Sequence, residues 1–401
     1  MWLSDFRVVL ADHVLARGSV RIAQGRIADI VEGPVKGAAL TGNGLLLMPG
    51  LVDMHGDMVE REVEPRPNVR MPMELGLRDL DRRLAASGVT TAYAAVSFHP
   101  GSAYGHIRHF DQTSAIIRAL KSMGNVLKVD HKVHARFEIT FPDALRVVEG
   151  LIAEGAVDLV SLTDHTPGQG QYRDIEAHVA RVAREKGLSQ TDAEDEVARR
   201  IAEKRSTAGD MAATLRAISV TCRTHGVALA SHDDDTVEKV ALMQALGAGI
   251  SEFPVTFEAA TEARARGLAT AMGAPNALRG LSYSGNLSAR AAHAAGLLDI
   301  LASDYHPSAM LPAVLELAKA DPKGLAGATL LATSNPARSL GLTDRGRIAP
   351  GLRADLVIAD DAGIGHVRAT LRAGRKIYSD GSVFLATASL GREQAEASES
   401  C

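Results

Sequence analysis

The residue types best suited to chemistry stand at the end of an apolar run that begins at Leu45, where His55 and Asp57 flank Gly56. An apolar run of this kind predicts a buried strand, and residues two apart on a strand face the same side. A histidine nitrogen beside a carboxylate oxygen suits zinc, manganese or iron, and the glycine lets a ligand approach the backbone closely. Since short His-x-Asp pairs are common by chance, the pair alone predicts a structural contact rather than a metal site.

Other metal-binding residue types stand where candidate strands end further along the chain. They are Glu138, His165, His232 and Asp304. If the strands form a parallel α/β barrel, their carboxyl ends meet at one face, which carries the active site in that fold. A chance scatter over loops and helices would not favour strand ends, so the set as a whole predicts a metal centre.

This centre is expected to hold one or two divalent ions, with zinc as the first expectation and manganese or iron as alternatives. We predict that His55 and Asp57 hold one ion. His165 and His232 then hold the second ion, and the carboxylate of Glu138 bridges the two. The set mixes nitrogen and oxygen donors, as transition-metal sites in proteins commonly do.

Asp304 is predicted to be both a metal ligand and the catalytic proton carrier. Two ions about 3.5–4 Å apart lower the pKa of a bound water to roughly 7. The Asp304 carboxylate then takes a proton from that water and returns it to a leaving group. With a single ion, His165 or His232 polarises the substrate instead, which makes His232 the second catalytic candidate.

The residues predicted to bind substrate are polar or cationic and stand near the same strand ends. They are Arg66, His99, Lys132, Arg136, Tyr283 and Asn286. Arg66 lies in a stiff Glu-Pro-Arg-Pro segment, where a guanidinium fork can grip a phosphate. Lys132 and Arg136 alternate with Glu138 on one strand and so share its face. The segment Ser282–Asn286 follows a predicted strand and opens a helix, a setting that binds anions. Pairing of either arginine with a nearby acid is the alternative interpretation.

These residues need elements that place them together, and the middle of the chain alternates strand and helix patterns. After the opening strand, the candidate strands are Val89–Ser97, Val129–Ile139, Val157–Thr163, Val227–Ser231, Gly249–Phe253, Ala277–Ser282 and Leu298–Ser303. Helical spacing fills the intervals between them. Eight βα units in about 290 residues predict an α/β fold of the TIM type, a (β/α)8 barrel, with a doubly wound open sheet as the alternative.

Both chain ends carry short β-type segments, which we predict to join into one small β-sandwich domain from residues 1–47 and 341–389. The barrel then takes residues 48–340. Dense charge within residues 173–223 predicts an insertion of two exposed helices, either a solvated decoration or a substrate lid. The polar segment 390–401 is expected to be a disordered tail.

Composition argues against several classes of protein. Of the 401 residues 46% are hydrophobic, enough for one large core, and a net charge of −4 with 4% aromatics argues against a nucleic-acid surface. Two cysteines cannot build a disulfide framework, and the N-terminal segment lacks the pattern of a signal peptide. No run of about eighteen apolar residues predicts a membrane span. We therefore expect a cytoplasmic protein that binds neither nucleic acid nor membrane, and a homodimer is compatible with the sequence.

The chain as a whole resembles the amidohydrolase superfamily. The features that carry the resemblance are the first-strand metal pair, an acidic bridge, two later histidines, a last-strand aspartate and a β-domain from both termini. Within this superfamily, four blocks resemble the diphosphatases of the carbon–phosphorus lyase pathway: His55–Pro67, Ser161–Tyr172, Leu229–Thr236 and Leu301–Leu311. The resemblance covers nearly the whole chain. It implies a metal-dependent hydrolase that cuts the α–β phosphoanhydride of α-D-ribose 1-methylphosphonate 5-triphosphate, a small phosphorylated substrate, and releases pyrophosphate.

The chain departs from the superfamily pattern at two points. Asp57 takes the second place of the usual His-x-His pair, and Glu138 stands where a carboxylated lysine often bridges; a modified Lys132 is the alternative bridge. Other functions remain open, namely hydrolysis of a C–N bond by a deacetylase or cyclic-amide hydrolase, action on another phosphorylated sugar, and a non-enzymatic scaffold. Arg66, Lys132 and Arg136 favour phosphates, because a neutral amide does not need them.

Overall fold

The structure is a computed structural model that describes residues 1–66, 68–99, 106–207, 209–282 and 285–383. Tyr283 and the predicted tail at 390–401 lie outside the described residues. Within the described ranges, no helix has the length and apolar character that crossing a membrane requires.

The described chain alternates strands and helices through its middle and has strands at both ends. The strands are β1 (Trp2–Val9), β2 (Val14–Ala23), β3 (Arg26–Glu32), β4 (Leu40–Thr41), β5 (Leu46–Pro49), β6 (Leu51–Gly56), β7 (Val89–Ser97), β8 (Asp130–Glu138), β9 (Leu159–Thr163), β10 (Ala228–His232), β11 (Ile250–Glu252), β12 (Ala269–Gly273), β13 (Ile300–Ala302), β14 (Leu356–Asp360), β15 (His366–Arg372) and β16 (Arg375–Ser379). The α-helices are α1 (Val59–Val63), α2 (Met73–Ala86), α3 (Phe110–Ser122), α4 (Ala144–Ala153), α5 (Ile175–Lys186), α6 (Gln190–Thr207), α7 (Met211–His225), α8 (Val237–Ala245), α9 (Phe257–Ala265), α10 (Ala274–Arg279), α11 (Ala289–Ala294), α12 (Met310–Ala318), α13 (Gly324–Leu330) and α14 (Ser334–Ser339).

Strands β6 to β13 form one parallel sheet of eight strands, in the order of the chain. The sheet closes on itself, because Gly56 at the end of β6 pairs in parallel with Asp304, just after β13. The Asp304 amide donates to the His55 carbonyl at 2.9 Å, and the Asp57 amide donates to the Asp304 carbonyl at 2.7 Å. The predicted TIM-type barrel is therefore confirmed, and the alternative of an open sheet is wrong.

The seventh barrel strand is β12, and the prediction of a strand at Ala277–Ser282 is wrong. The predicted segment begins within helix α10. Two local signals explain the helix: Pro275 stands in its first turn, where its missing N–H costs nothing, and Gly280 ends it with a φ of 78°. The segment around Asn286 consequently does not follow the end of a strand.

The strands from both termini build a second sheet. Its order is β16, β15, β14, β5, β1, β2, β3, with β4 beside β1. The two chain ends meet where β14 pairs antiparallel with β5, and Leu47 and Leu356 are among the buried side chains of that region's core. A β-unit made by both termini was predicted, whereas the exact limits of the domains stay a prediction.

The charged segment at 173–223 contains three helices, α5, α6 and α7. A small core of Val179, Val182, Ala193 and Val197 holds α5 against α6. In contrast, α7 packs Leu215, Ile218 and Cys222 into the main core of the barrel. Only α5 and α6 therefore form the insertion, and α7 is the barrel helix that leads into β10.

Candidate metal and active site

Most of the predicted metal ligands meet at the carboxyl end of the barrel. A cavity of about 560 Å³ opens there, and its lining includes His55, Asp57, His232 and Asp304 from three different strand ends. The backbone explains the convergence, because each of these residues ends or directly follows a barrel strand. His165 also follows its strand, β9, and lines a neighbouring cavity.

His55 of this lining also belongs to a buried cluster with His134 and Glu252. The Nδ1 atom of His55 lies 3.3 Å from Glu252 Oε2, and the Nε2 atom of His134 lies 3.6 Å from Glu252 Oε1. Both ring nitrogens of His55 and both carboxylate oxygens of Glu252 lie at ion-pair distance from one another or from Asp57 and His134, but make no well-directed hydrogen bond in the part of the chain that the structure describes. Buried polar atoms without partners are costly, so two nitrogens and a carboxylate arranged in this way fit a transition-metal ion.

The electrostatics of this cluster favour positive charge. Burial alone would lower the pKa of His55, but the carboxylates of Asp57 and Glu252 outweigh it and raise the pKa to about 10. Burial would likewise raise the pKa of Glu252, but His134 and His55 outweigh it and lower the pKa to about 2. A cation held between these groups would take over the role that the proton on His55 plays here.

Arg136 lies at the centre of a second group of predicted ligands. Its Nη1 donates to both oxygens of Asp57, at 2.9 and 3.0 Å. Its Nη2 lies 3.1 Å from His232 Nε2 and 3.5 Å from His165 Nε2. Asp233, whose Oδ1 lies 3.3 Å from His232 Nδ1, completes a second possible ligand set with the two histidines. The guanidinium thus supplies positive charge at the point where the second ion was predicted.

Glu138 is saturated with hydrogen bonds. Its carboxylate accepts from the hydroxyl of Thr140 at 2.9 Å, from the backbone N–H of His165 at 3.1 Å, and from Lys204 Nζ at 2.7 Å. The ring Nδ1 of His165 lies 2.6 Å from its other oxygen. Burial would raise the pKa of Glu138, but His165 and Lys204 lower it well below its usual range. In this arrangement Glu138 orients the His165 ring, and its role as a bridge between two ions stays a prediction.

Sequence analysis missed Lys204, which comes from helix α6 of the insertion and is only 3% exposed at its side chain. A signal was present, because Ala193, Val197, Ile201 and Lys204 follow one another at helical spacing. A lysine that continues an apolar stripe either extends its ammonium group to solvent or pairs with a buried acid, and here it pairs with Glu138. It therefore links the insertion to the active site.

Glu252 was missed although it ends strand β11, where the rule that found the other ligands also applies. His134 shares the face of Arg136 and Glu138 on β8, but from the sequence core hydrogen bonding is at least as good an interpretation of it as catalysis. Both positions were open to the same reasoning. What the sequence does not contain is the cross-barrel distance that brings His134 to Glu252.

Asp304 occupies a constrained position in the cavity wall. Its backbone has a φ of 56°, and a Cβ on Gly273 would lie 3.1 Å from Asp304 Oδ2, so the glycine makes room for the carboxylate. Burial and the neighbouring charge of Asp57 raise the pKa of Asp304 to about 6. At neutral pH the group is mostly ionised and close to the pKa that suits proton exchange.

The predicted substrate residues lie in different places. Arg136 and Asn286 line the cavity. His99 is buried beside Phe141, with ring centroids 5.3 Å apart, and burial lowers its pKa to about 3. The remaining described pair does not line the cavity: Arg66 is exposed, and Lys132 Nζ lies 3.8 Å from Asp158 Oδ1 near the amino end of β8.

Two arginines that sequence analysis did not single out also line the cavity, Arg61 and Arg279. Arg61 is in helix α1, after the first strand, and Arg279 ends helix α10. Neither has a carboxylate within ion-pair distance in the described ranges. The lining also contains the carboxylates of Asp57, Asp233 and Asp304. Asp57 pairs with Arg136. Within the described ranges, Arg61 and Arg279 are therefore the lining cations that are free to meet an anion.

Comparisons with known proteins show the family to which the chain belongs. The chain is 36% identical over 390 residues to the alpha-D-ribose 1-methylphosphonate 5-triphosphate diphosphatase of Escherichia coli (strain K12), covering 94% of this chain and 100% of the relative. Among solved structures, N-acetyl-D-glucosamine-6-phosphate deacetylase from Mycobacterium smegmatis matches with a TM-score of 0.64 at 16% identity, over 94% of this chain and 100% of that chain. A D-hydantoinase matches with a TM-score of 0.61 at 13% identity, over 96% and 97%. These structural likenesses show the fold alone. The Amidohydrolase family matches residues 46–380, and the chain is therefore a member of the amidohydrolase family of hydrolases.

Proposed function

We propose that this chain is a metal-dependent diphosphatase that hydrolyses the α–β phosphoanhydride of α-D-ribose 1-methylphosphonate 5-triphosphate and releases pyrophosphate. The observation that carries the proposal is the similarity to the Escherichia coli diphosphatase, which extends over 94% of this chain and the whole of the relative. The arginines of the cavity lining support it independently. The lining contains the guanidinium groups of Arg61, Arg136 and Arg279. A phosphorylated substrate needs such groups, whereas a neutral amide carries no charge for them to neutralise.

We propose that His55, His134 and Glu252 hold a divalent ion, zinc in the first instance, with manganese or iron as alternatives. His165, His232 and Asp233 are a second candidate set of donors, but Arg136 lies against both histidine Nε2 atoms, so an ion bound through these nitrogens would have to displace its guanidinium. Held at this face of the barrel, such an ion supplies Lewis acidity toward a phosphoryl oxygen. The predicted pairing of His55 with Asp57 uses the other ring nitrogen, because Nε2 lies 3.2 Å from Asp57 Oδ1 whereas Nδ1 faces Glu252, and it stays a separate prediction.

The side chains of the cavity divide the remaining work. A water attacks the α-phosphorus, a new P–O bond forms, and the bond from that phosphorus to the bridging oxygen breaks. Asp304 accepts the proton of the water and returns it to the departing pyrophosphate. Arg136 neutralises charge on the phosphoryl oxygens, and His232 orients its guanidinium by accepting from Nη2 at 3.1 Å.

The test is pyrophosphate release from the ribose phosphonate triphosphate by zinc-loaded protein, with ATP and an N-acetylated sugar phosphate assayed beside it. We expect pyrophosphate from the phosphonate substrate, little from ATP, and no acetate from the sugar. Absence of pyrophosphate from a protein shown to contain metal would overturn the diphosphatase proposal. Acetate release would move the function to C–N bond hydrolysis on a phosphorylated sugar.

A further inference from the structure

A second cavity, of about 600 Å³, adjoins the first and is built largely by the insertion. The two cavities share Gln171 and Asn286 in their linings, so they are neighbours along one wall. The second is lined by one face of helix α5 and by the short segment before it. Whatever occupies the first cavity can therefore extend into the second.

The cationic groups of the second cavity come from Arg173, Arg181 and Arg184. None of them has a carboxylate within ion-pair distance in the described part of the chain, and Arg173 and Arg184 are exposed. Acidic groups are also present. Asp174 accepts from the backbone N–H of Ala177 at 2.9 Å and so caps helix α5, and Glu185 lines the same wall.

Arg181 is held in place by aromatic neighbours. Its Cζ lies 4.6 Å from the centroid of the Tyr172 ring, and its Nη2 lies 2.7 Å from Nδ1 of His178. Because a guanidinium can only donate, this contact makes Nδ1 the acceptor and places the ring proton on Nε2. That Nε2 is buried and has no hydrogen-bond partner among the described residues. An N–H donor without an acceptor, beside arginines that form no ion pair within the described ranges although Asp174 and Glu185 share the lining, suits an anionic oxygen.

We propose that this second cavity is a diphosphate subsite, which binds the terminal two phosphates of the substrate and then the pyrophosphate product. The inference rests on the proposed function for the identity of its ligand. The terminal diphosphate is the most highly charged part of that substrate, and three arginines around one cavity match it better than they match a sugar ring. The insertion would then be a binding element rather than a decoration.

The experiment measures binding of inorganic pyrophosphate by calorimetry to the zinc-loaded full chain, without turnover. In the double variant Arg173→Gln with Arg184→Gln, we expect the dissociation constant for pyrophosphate to rise roughly tenfold or more, because charged hydrogen bonds are lost. The matched control is Arg146→Gln with Arg216→Gln, which removes the same charge from exposed positions on α4 and α7. The control should bind pyrophosphate as the wild type does.

Three results would overturn the subsite. They are an unchanged dissociation constant in the first variant, an equal loss of pyrophosphate affinity in the control, and no measurable binding of pyrophosphate by the wild type. The result is separable from that of the activity assay. Pyrophosphate binding that depends on Arg173 and Arg184 in a protein that does not hydrolyse the triphosphate would retain the subsite and refute the diphosphatase. Hydrolysis of the triphosphate by a protein whose pyrophosphate binding does not depend on these arginines would retain the diphosphatase and refute the subsite.

Discussion

One face of strand β8 carries polar side chains along its whole length, and its two ends behave differently. From the amino to the carboxyl end they are Asp130, Lys132, His134, Arg136 and Glu138. The amino-end pair has nearby structural partners. Asp130 Oδ2 lies 2.6 Å from Arg345 Nη1, and Lys132 Nζ lies 3.8 Å from Asp158 Oδ1.

At the carboxyl end the same face contains unsatisfied atoms. His134 Nδ1 and Arg136 Nε are buried and have no hydrogen-bond partner within the described ranges. Across the barrel, both oxygens of Glu252 are in the same condition. Polarity is thus common to both ends of this face, and among the described residues of this face the buried atoms without a hydrogen-bond partner lie at the carboxyl end. Other such atoms occur elsewhere, as at Arg353 and Asp355, so the difference concerns this strand and its neighbours across the barrel.

The largest effect should follow removal of charge from the carboxyl end. Glu252→Gln keeps the shape of the side chain but not its charge, so we expect metal affinity to fall by roughly a hundredfold or more, with a matching loss of hydrolysis. The loss of metal affinity is measured as the zinc content of the protein, determined by mass spectrometry after equilibration at a fixed free zinc concentration. A folded variant with wild-type metal content would show that Glu252 is not a ligand.

The next effect concerns the insertion. Lys204→Met removes the lysine from the buried Glu138 carboxylate, which keeps Thr140 and His165 as partners. Breaking a buried ion pair costs up to about 3–5 kcal/mol. We expect the free energy of unfolding to fall by an amount of that order. We also expect kcat to fall, because Glu138 then orients the His165 ring less firmly. Lys204→Arg should partly restore both quantities. Lys186→Met, which removes an exposed lysine from the same insertion, is the matched control. Equal behaviour of the two methionine variants would remove the link between insertion and site.

A smaller effect is expected on the structural side of the barrel. Asp81 accepts from the backbone N–H of Lys128 and Val129, at 3.0 and 2.9 Å, and lies 3.1 Å from His131 Nε2. Burial would raise its pKa, but these partners lower it below 3.8. The carboxylate therefore stabilises the fold fully above the unfolded pKa, and this contribution is lost as pH falls through the folded pKa.

Asp81→Asn should accordingly lower the free energy of unfolding by about 1–3 kcal/mol at neutral pH. Urea titrations at neutral pH and at a pH below 3.8 measure the difference in the free energy of unfolding between the wild type and the variant. This difference should shrink at the lower pH. Hydrolysis per folded molecule should not change. A difference that is independent of pH would mean that the charge of Asp81 contributes nothing.

The smallest effect is predicted for Lys132→Met. Its ion pair with Asp158 is partly exposed and is worth about 0–1 kcal/mol, and the side chain does not line the cavity. We expect kcat/KM and metal content close to those of the wild type. A large loss of either would reinstate Lys132 as a substrate group or as a modified bridge.

Sequence patterns predicted the barrel and the strand ends at which several candidate ligands meet, because both depend on local rules. An apolar run followed by a ligand residue located His55, Asp57, Glu138, His165 and Asp304 without any distance information. The same patterns failed at β12, where a short strand of small residues was passed over for the helix that follows it. Local helix signals at Pro275 and Gly280 were present but were not used.

Partnerships between distant segments could not be predicted. Lys204 and Glu138 are separated by 66 positions, and their 2.7 Å contact depends on how the insertion packs. Lys132 shows the opposite error, because strand alternation puts it on the face of Arg136 but does not say at which end of the barrel it lies. Function here depends on which buried atoms find partners, and that is a property of the folded chain.

The most direct test of a metal centre at the carboxyl end is an anomalous difference map at the zinc edge from crystals of the zinc-loaded protein. We predict a peak bounded by a ring nitrogen of His55, a ring nitrogen of His134 and a carboxylate oxygen of Glu252. A further peak beside His165 and His232 would indicate the second ion. No peak at this face of the barrel in a protein that binds zinc in solution would contradict the assignment of the unsatisfied atoms to a metal.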